Sequence, residues 1–165
     1  MNEIPIVGRT ELWHPLFVHF PIALLILGTL VGLAYLICKK SGFAGNLRFT
    51  MSLLLWCGIV FFWIAFYTGN LAYSVEVRRI CDPTVLKDHL KWAYISGALF
   101  SLAAFLDIIQ KIWQNRINRF LSVLIISLML IGSVSLGYDG HLGASLVYQQ
   151  GAGVHKPASD CSDYK

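Results

Sequence analysis

Five histidines are the residues of this chain best suited to chemistry: His14, His19, His89, His141 and His155. Imidazole is the commonest neutral metal ligand and also exchanges protons near neutral pH. His14 and His19 stand five positions apart. On a continuous helix that is about 140° round the axis, so they do not share one metal as an i, i+4 pair would. His19 lies in an apolar run between Phe17 and Phe20, where an imidazole is costly and therefore points to function. His14 stands just ahead of Pro15, His89 precedes Trp92, and His141 follows Tyr138. His155 falls in a polar stretch, where solvation is its ordinary state.

What must hold these rings is membrane helix. The 165 residues are 56% hydrophobic and only 13% charged, against roughly a quarter charged in a soluble domain. The apolar residues gather in four stretches, Pro15–Cys38, Phe49–Tyr73, Trp92–Ile109 and Phe120–Tyr138. Each is close to the ~20 helical residues that cross a hydrocarbon layer of ~30 Å. Lipid offers no partner to a bare backbone amide, so the crossings must be helical. The expectation is an all-α polytopic membrane protein, a single domain over 1–165 built as a four-transmembrane-helix bundle, with a polar C-terminal tail over 139–165. The first stretch lacks the basic lead and small-residue cleavage site of a secretion signal and is read as a mature helix. No internal repeat is evident, and no inverted repeat of the transporter kind.

Four crossings put both termini and the connector 74–91 on one face. The connectors 39–48 and 110–119 share the other. Those two short connectors hold Lys39, Lys40, Arg48, Lys111, Arg116 and Arg119 without any acid. Their cation density predicts that they face the cytoplasm, which places both termini on the outer, periplasmic side of a bacterial inner membrane. Cys81 and Cys161 then share the oxidising face, where they either bridge or remain unrelated thiols. Cys38 and Cys57 read as buried small apolar residues. Asp107 is expected to pair with Lys111, four residues on. Thr68, Gly69 and Asn70 either line a pocket or mark a helix end loosened by glycine.

This topology gathers His14, His19, His89 and His141 at one membrane depth. Imidazoles from different helices of a bundle are a common way of holding haem, one on each face of the porphyrin. His19 with His89 is the preferred axial pair, and His14 with His141 a second pair or a source of hydrogen bonds. Arg78 and Arg79 are placed to meet carboxylates at the surface. Zn²⁺ or copper suits the same imidazoles, although no close His or Cys pair supports either. Without a Cys-x-x-Cys-His motif, any haem would be b-type and not covalently attached.

The run His14-Pro15-Leu16-Phe17-Val18-His19-Phe20-Pro21-Ile22-Ala23-Leu24 resembles the opening signature of the bacterial membrane family known as domain of unknown function 2231. Asp88-His89 falls where members often carry a histidine. The stretch Gly137-Tyr138-Asp139-Gly140-His141-Leu142-Gly143-Ala144 through Tyr148, then Gly151-Ala152-Gly153-Val154, is similar to the glycine-rich closing signature. Many members have two glycines where this chain has Gly143-Ala144, and only some carry His141. The resemblance implies four transmembrane helices and no activity.

Two functions follow as expectations. One is a b-type cytochrome-like subunit with one or two haems near the outer face, passing electrons to or from a periplasmic cytochrome c or a larger respiratory complex. The other is a non-redox scaffold or assembly subunit whose histidines are structural or bind labile metal. The lipid bilayer is the first partner in either case, and nothing points to nucleic acid. No serine, cysteine or carboxylate pair stands in a context that would activate it for hydrolysis.

Overall fold

The computed structural model describes residues 10–112 and 118–154. A short 3₁₀ turn, Thr10–Leu12, leads into α1 (Trp13–Phe17), α2 (His19–Ile37), α3 (Ala44–Glu76), α4 (Pro83–Ile112) and α5 (Asn118–Tyr148). Among the described residues no strand forms, and four spans are long and apolar enough to cross a membrane. The first of these, Trp13–Ile37, joins α1 and α2. The two meet at Val18, which keeps helical φ and ψ of −62° and −26°. The junction is one bond short because Pro21 has no N–H to return to the carbonyl of Phe17. At 33 residues, α3 extends about 50 Å, enough to cross both the hydrocarbon and the headgroup layers.

The helices run beyond the apolar stretches seen in the sequence. Hydropathy registers only residues that sit in hydrocarbon, whereas a helix continues while its backbone groups are paired and its ends capped. Thus α4 begins at Pro83 rather than near Trp92. Asp82 accepts from the Thr84 hydroxyl at 2.6 Å and the Thr84 amide at 2.9 Å, and Pro83 sets the first helical φ. The last helix carries Asp139, Gly140 and His141 within it, residues expected in a polar tail, and ends only at Tyr148. There Gly151 takes a φ of 68°. Its amide bonds the Val147 carbonyl and the Ala152 amide bonds that of Leu146, a Schellman-type stop that needs a left-handed glycine.

Each crossing packs against two neighbours. The pairs α2–α3 and α4–α5 form the closest hairpins, α3 meets α4, and α2 meets α5. No contact joins α2 to α4 or α3 to α5, so these stand at opposite corners. The axis is filled by Leu25, Met51, Leu55, Phe100, Ile125 and Met129, all fully buried. Lipid is as apolar as these side chains, so close packing rather than water exclusion must hold the helices together. Small residues allow that approach. A methyl group added at Gly58 would lie 2.5 Å from Leu25, and one at Gly132 would lie 3.0 Å from Phe100.

Those two contacts are equivalent, and the equivalence extends along the bundle. The buried residues Pro21, Leu25, Gly28, Thr29 and Gly32 of α2 match Ser96, Phe100, Ala103, Ala104 and Asp107 of α4 in order and spacing. Met51, Leu55, Gly58, Phe62 and Ala65 of α3 match the buried Ile125, Met129, Gly132, Leu136 and Asp139 of α5. The two hairpins are therefore a parallel structural repeat. It is a repeat of structure and not of sequence, and it is parallel rather than inverted. The environments repeat while the residue types do not, which is why the sequence conceals it.

At the end opposite the histidines, Asp107 is wholly buried and forms an ion pair with Arg48. It also accepts from Ser52 at 2.6 Å and Trp56 at 3.1 Å, and Lys111 approaches to 3.2 Å. Arg48 reaches Gln110 at 2.8 Å, and Gln110 donates to Ser122 at 2.7 Å. The expected partner Lys111 is thus one of several, and the network joins α3, α4 and α5. Cys38 and Cys57 are exposed rather than buried in the bundle. Cys57 faces outward from the middle of α3, and Cys38 stands at the end of α2 beside Lys39 and Lys40.

Candidate functional site

Two imidazoles from opposite corners meet at the outer end of the bundle. The His14 Nδ1 lies 2.9 Å from the carbonyl oxygen of Ala65 on α3. The His89 Nδ1 lies 3.0 Å from the carbonyl oxygen of Asp139 on α5. A carbonyl only accepts, so each Nδ1 carries the hydrogen and each Nε2 keeps its lone pair when the ring is neutral. The ring centres are 6.1 Å apart, with planes inclined at 69°.

Each ring rests on a glycine. A methyl group at Gly69 would lie 2.9 Å from His14 Cε1, and one at Gly143 would lie 3.3 Å from His89 Cε1. Ring, carbonyl and glycine thus recur in both hairpins, and the pair stands where the repeat brings its halves face to face. One difference breaks the match. Asp139 occupies the position equivalent to Ala65, and its Oδ1 lies 2.7 Å from His89 Nδ1. The ring N–H is directed at the carbonyl, so this buried carboxylate oxygen has no hydrogen-bond donor of its own.

The rings open on a cavity of about 470 Å³ lined by all four crossings. Most of its wall is apolar, with Phe62, Phe66, Leu86 and Leu136 among the residues that form it. Pro21 and Ile22 border it just beyond the Val18 junction of the first crossing, and Ala152 and Gly153 border it where the chain turns back past α5. Glu76 also faces this space. Its side chain is 8% exposed and stands 3.5 Å from the Arg79 guanidinium.

Comparison with known proteins gives one result. The model of a family described as a predicted membrane protein, DUF2231, matches residues 12–156, nearly the whole chain. The chain belongs to the DUF2231 family. No curated protein and no solved structure matches it. As a membrane-embedded member of DUF2231, it contacts the lipid bilayer through the apolar outer faces of its helices, with Leu30, Val60, Phe105 and Val134 among the exposed residues.

Several residues in the DUF2231 signatures acquire definite places. His14 and Gly143 belong to the facing half-sites. His19 is exposed and borders the cavity without meeting His89, because the rings that meet are His14 and His89. His141 is exposed on α5 and does not line the cavity. Gly69 and Asn70 line it within an unbroken α3, and Thr68 donates to the Ala65 carbonyl at 2.9 Å. Arg78 and Arg79 are exposed at the same end of the bundle, outside the cavity wall. His155 and the Cys81–Cys161 pairing fall outside the described residues. Sequence reasoning did not single out Asp139, Glu76 or the Ala65 carbonyl. Asp139 carried a signal, an acid between two glycines close to a histidine, but it was assigned to the tail.

Proposed function

We propose that this chain is a b-type cytochrome-like membrane subunit that holds one haem between His14 and His89 and passes single electrons. The observation that carries the reading is the facing imidazole pair. Both rings are fixed through Nδ1, and both border one apolar cavity. With ring centres 6.1 Å apart and each Nε2 lone pair free of the carbonyl bonds, His14 and His89 would be the residues to hold the iron. Carbonyl acceptors behind ligating histidines are the usual way of fixing their tautomer and orientation.

A bare metal ion fits these residues less well. Zn²⁺ takes at least three protein ligands, and no group of three His, Cys, Asp or Glu suited to a metal occurs among the described residues. Two protein ligands suffice when the metal arrives with four of its own in a macrocycle. The cavity lies within the roughly 300–1,000 Å³ typical of cofactor pockets. His14 is engaged with His89, leaving no partner ring for His141, so the reading is one haem rather than two. Arg78 and Arg79 are at hand at the surface for carboxylates of the group. Bound haem supplies a reversible one-electron couple, ferric to ferrous and back. The protein fixes the ligands, keeps lipid and water away, and holds the site near one membrane surface.

With the cation-dense connectors in the cytoplasm, that surface is the periplasmic side of a bacterial inner membrane. A periplasmic cytochrome c, or a larger respiratory complex, is then the partner that gives or takes the electron. The test is a reduced-minus-oxidised visible spectrum of protein purified from haem-replete cells, with a haem-to-protein ratio. The expected result is a low-spin b-type signal near one haem per chain, lost in both His14→Ala and His89→Ala and kept in His141→Ala. Colourless wild-type protein that co-purifies with other membrane subunits would replace this reading with the scaffold role.

A further inference from the structure

We infer that the two histidines are unequal ligands, with His89 the fixed one and His14 the one that yields to a small diatomic ligand of the carbon monoxide class. The inference rests on the haem reading above. It begins from the near-identity of the half-sites. Each has an imidazole at the same place in its hairpin, a backbone carbonyl receiving Nδ1–H at 2.9 or 3.0 Å, and a glycine beneath the ring. Against that match the exceptions stand out.

The first exception is Asp139, where the other half has Ala65. Its carboxylate oxygen stands 2.7 Å from His89 Nδ1 within a side chain only 10% exposed, and no donor satisfies it. A negative charge beside an imidazole N–H raises the electron density of the ring and makes Nε2 a stronger donor to a metal. The charge acts at high strength because its side chain is only 10% exposed and the surroundings screen it weakly. His14 has a neutral carbonyl in the same role and gains no such strengthening.

The second exception is the support of the ring itself. His89 lies well inside α4, a continuous helix of 30 residues. His14 lies in the first turn of the Trp13–Ile37 span, where α1 joins α2 one hydrogen bond short because Pro21 has no N–H. The missing Pro21 amide weakens that junction, so α1 has less to hold it when the ring lets go. Gly69 leaves His14 the tighter seat, since a methyl there would stand at 2.9 Å against 3.3 Å at Gly143. Release of His14 breaks only a bond to a neutral carbonyl, whereas release of His89 would leave a buried carboxylate without its neighbour.

The experiment adds carbon monoxide to the reduced, haem-loaded, full-length protein in detergent and follows the visible spectrum and the binding rate. Wild type is expected to bind slowly, because binding waits for His14 to leave. His14→Ala should bind about tenfold faster or more, since the open state is then fully populated, and should give the same carbon monoxide spectrum as wild type. His89→Ala should lose haem or give a different spectrum. In reduced His14→Ala the iron–histidine stretching frequency, read by resonance Raman, should fall when Asp139→Asn is added. An Ala65→Asp/Asp139→Ala exchange should reverse which histidine yields. Equal behaviour of the two alanine variants, no binding to wild type at saturating gas, or an unchanged stretching frequency in Asp139→Asn would overturn the inference. Wild-type protein without haem would remove this inference together with the function on which it rests, whereas haem retained with equivalent ligands removes this one alone.

Discussion

The room for one methyl group separates the two ring seats. At Gly69 an added carbon would stand 2.9 Å from His14 Cε1 and 3.0 Å from Nδ1, inside any normal contact distance. The ring must move, and its hydrogen bond to Ala65 goes with it. Gly69→Ala is expected to destabilise the protein by about 1–3 kcal/mol, as overpacking usually does. Thermal unfolding in detergent would measure it, and nitrogen NMR of the imidazoles would register the lost bond. Gly143→Ala, at 3.3 Å, should cost less and leave the His89 signal close to its wild-type position. An equal cost at both positions would contradict the difference in seating. At this scale the sequence was legible in residue types and not in pairings. His14 and His19 were distinguishable by their angle on the helix, which keeps them apart, but not by which of them faces His89. The Ala65 carbonyl is a backbone group and leaves no trace in residue identity.

Among the elements, the start of α4 and the inner polar network have measurable consequences. The Thr84 hydroxyl, and then its amide, hold the Asp82 carboxylate below its ordinary value of 3.8. A carboxylate lowered on folding contributes stability that is present above 3.8 and is lost as pH falls through the depressed value. The protection factor of the Thr84 amide against hydrogen exchange should hold from pH 7 to 5 and collapse only below 3.8. A loss at pH 6 would show that Asp82 is not the cap. Asp107 is a separate case, because it is buried among Arg48, Ser52, Trp56 and Lys111. Removing one partner of a buried pair leaves the other uncompensated, so Asp107→Ala should cost on the order of 3 kcal/mol in thermal unfolding, and Asp107→Asn less. The four helices were readable from their apolar runs, since lipid imposes that composition. Their ends were not, because caps such as Asp82 and Gly151 act through backbone geometry that hydropathy does not register.

For the whole molecule, the open prediction is orientation. Cys38 and Cys81 are both exposed and stand at opposite ends of the bundle. If the short cationic connectors face the cytoplasm, a membrane-impermeant maleimide added to intact cells labels a variant retaining only Cys81. One retaining only Cys38 is labelled only after the membrane is opened. The reverse pattern would invert the topology and place the histidines inside. Bundle architecture followed from composition, whereas the internal repeat did not. Leu25 and Phe100, Gly32 and Asp107, Ala65 and Asp139 share surroundings without sharing chemistry, and only their contacts reveal the correspondence.

That repeat also means that neither hairpin borrows from the other to build its share of the site. His14 has its acceptor and its glycine on α3, and His89 has both on α5. Each hairpin is a finished half of a socket, and a molecule held between them, as proposed for haem, would act as a clasp. Cut between Val77 and Asp82 and produced as two pieces, the chain should associate through the Arg48–Asp107 network and the axis core, and hold together more tightly where that molecule is supplied. A ligand at a hundred times its dissociation constant adds about 2.7 kcal/mol to such an assembly. If the proposed haem is that molecule, its supply would set how much of the protein a cell keeps.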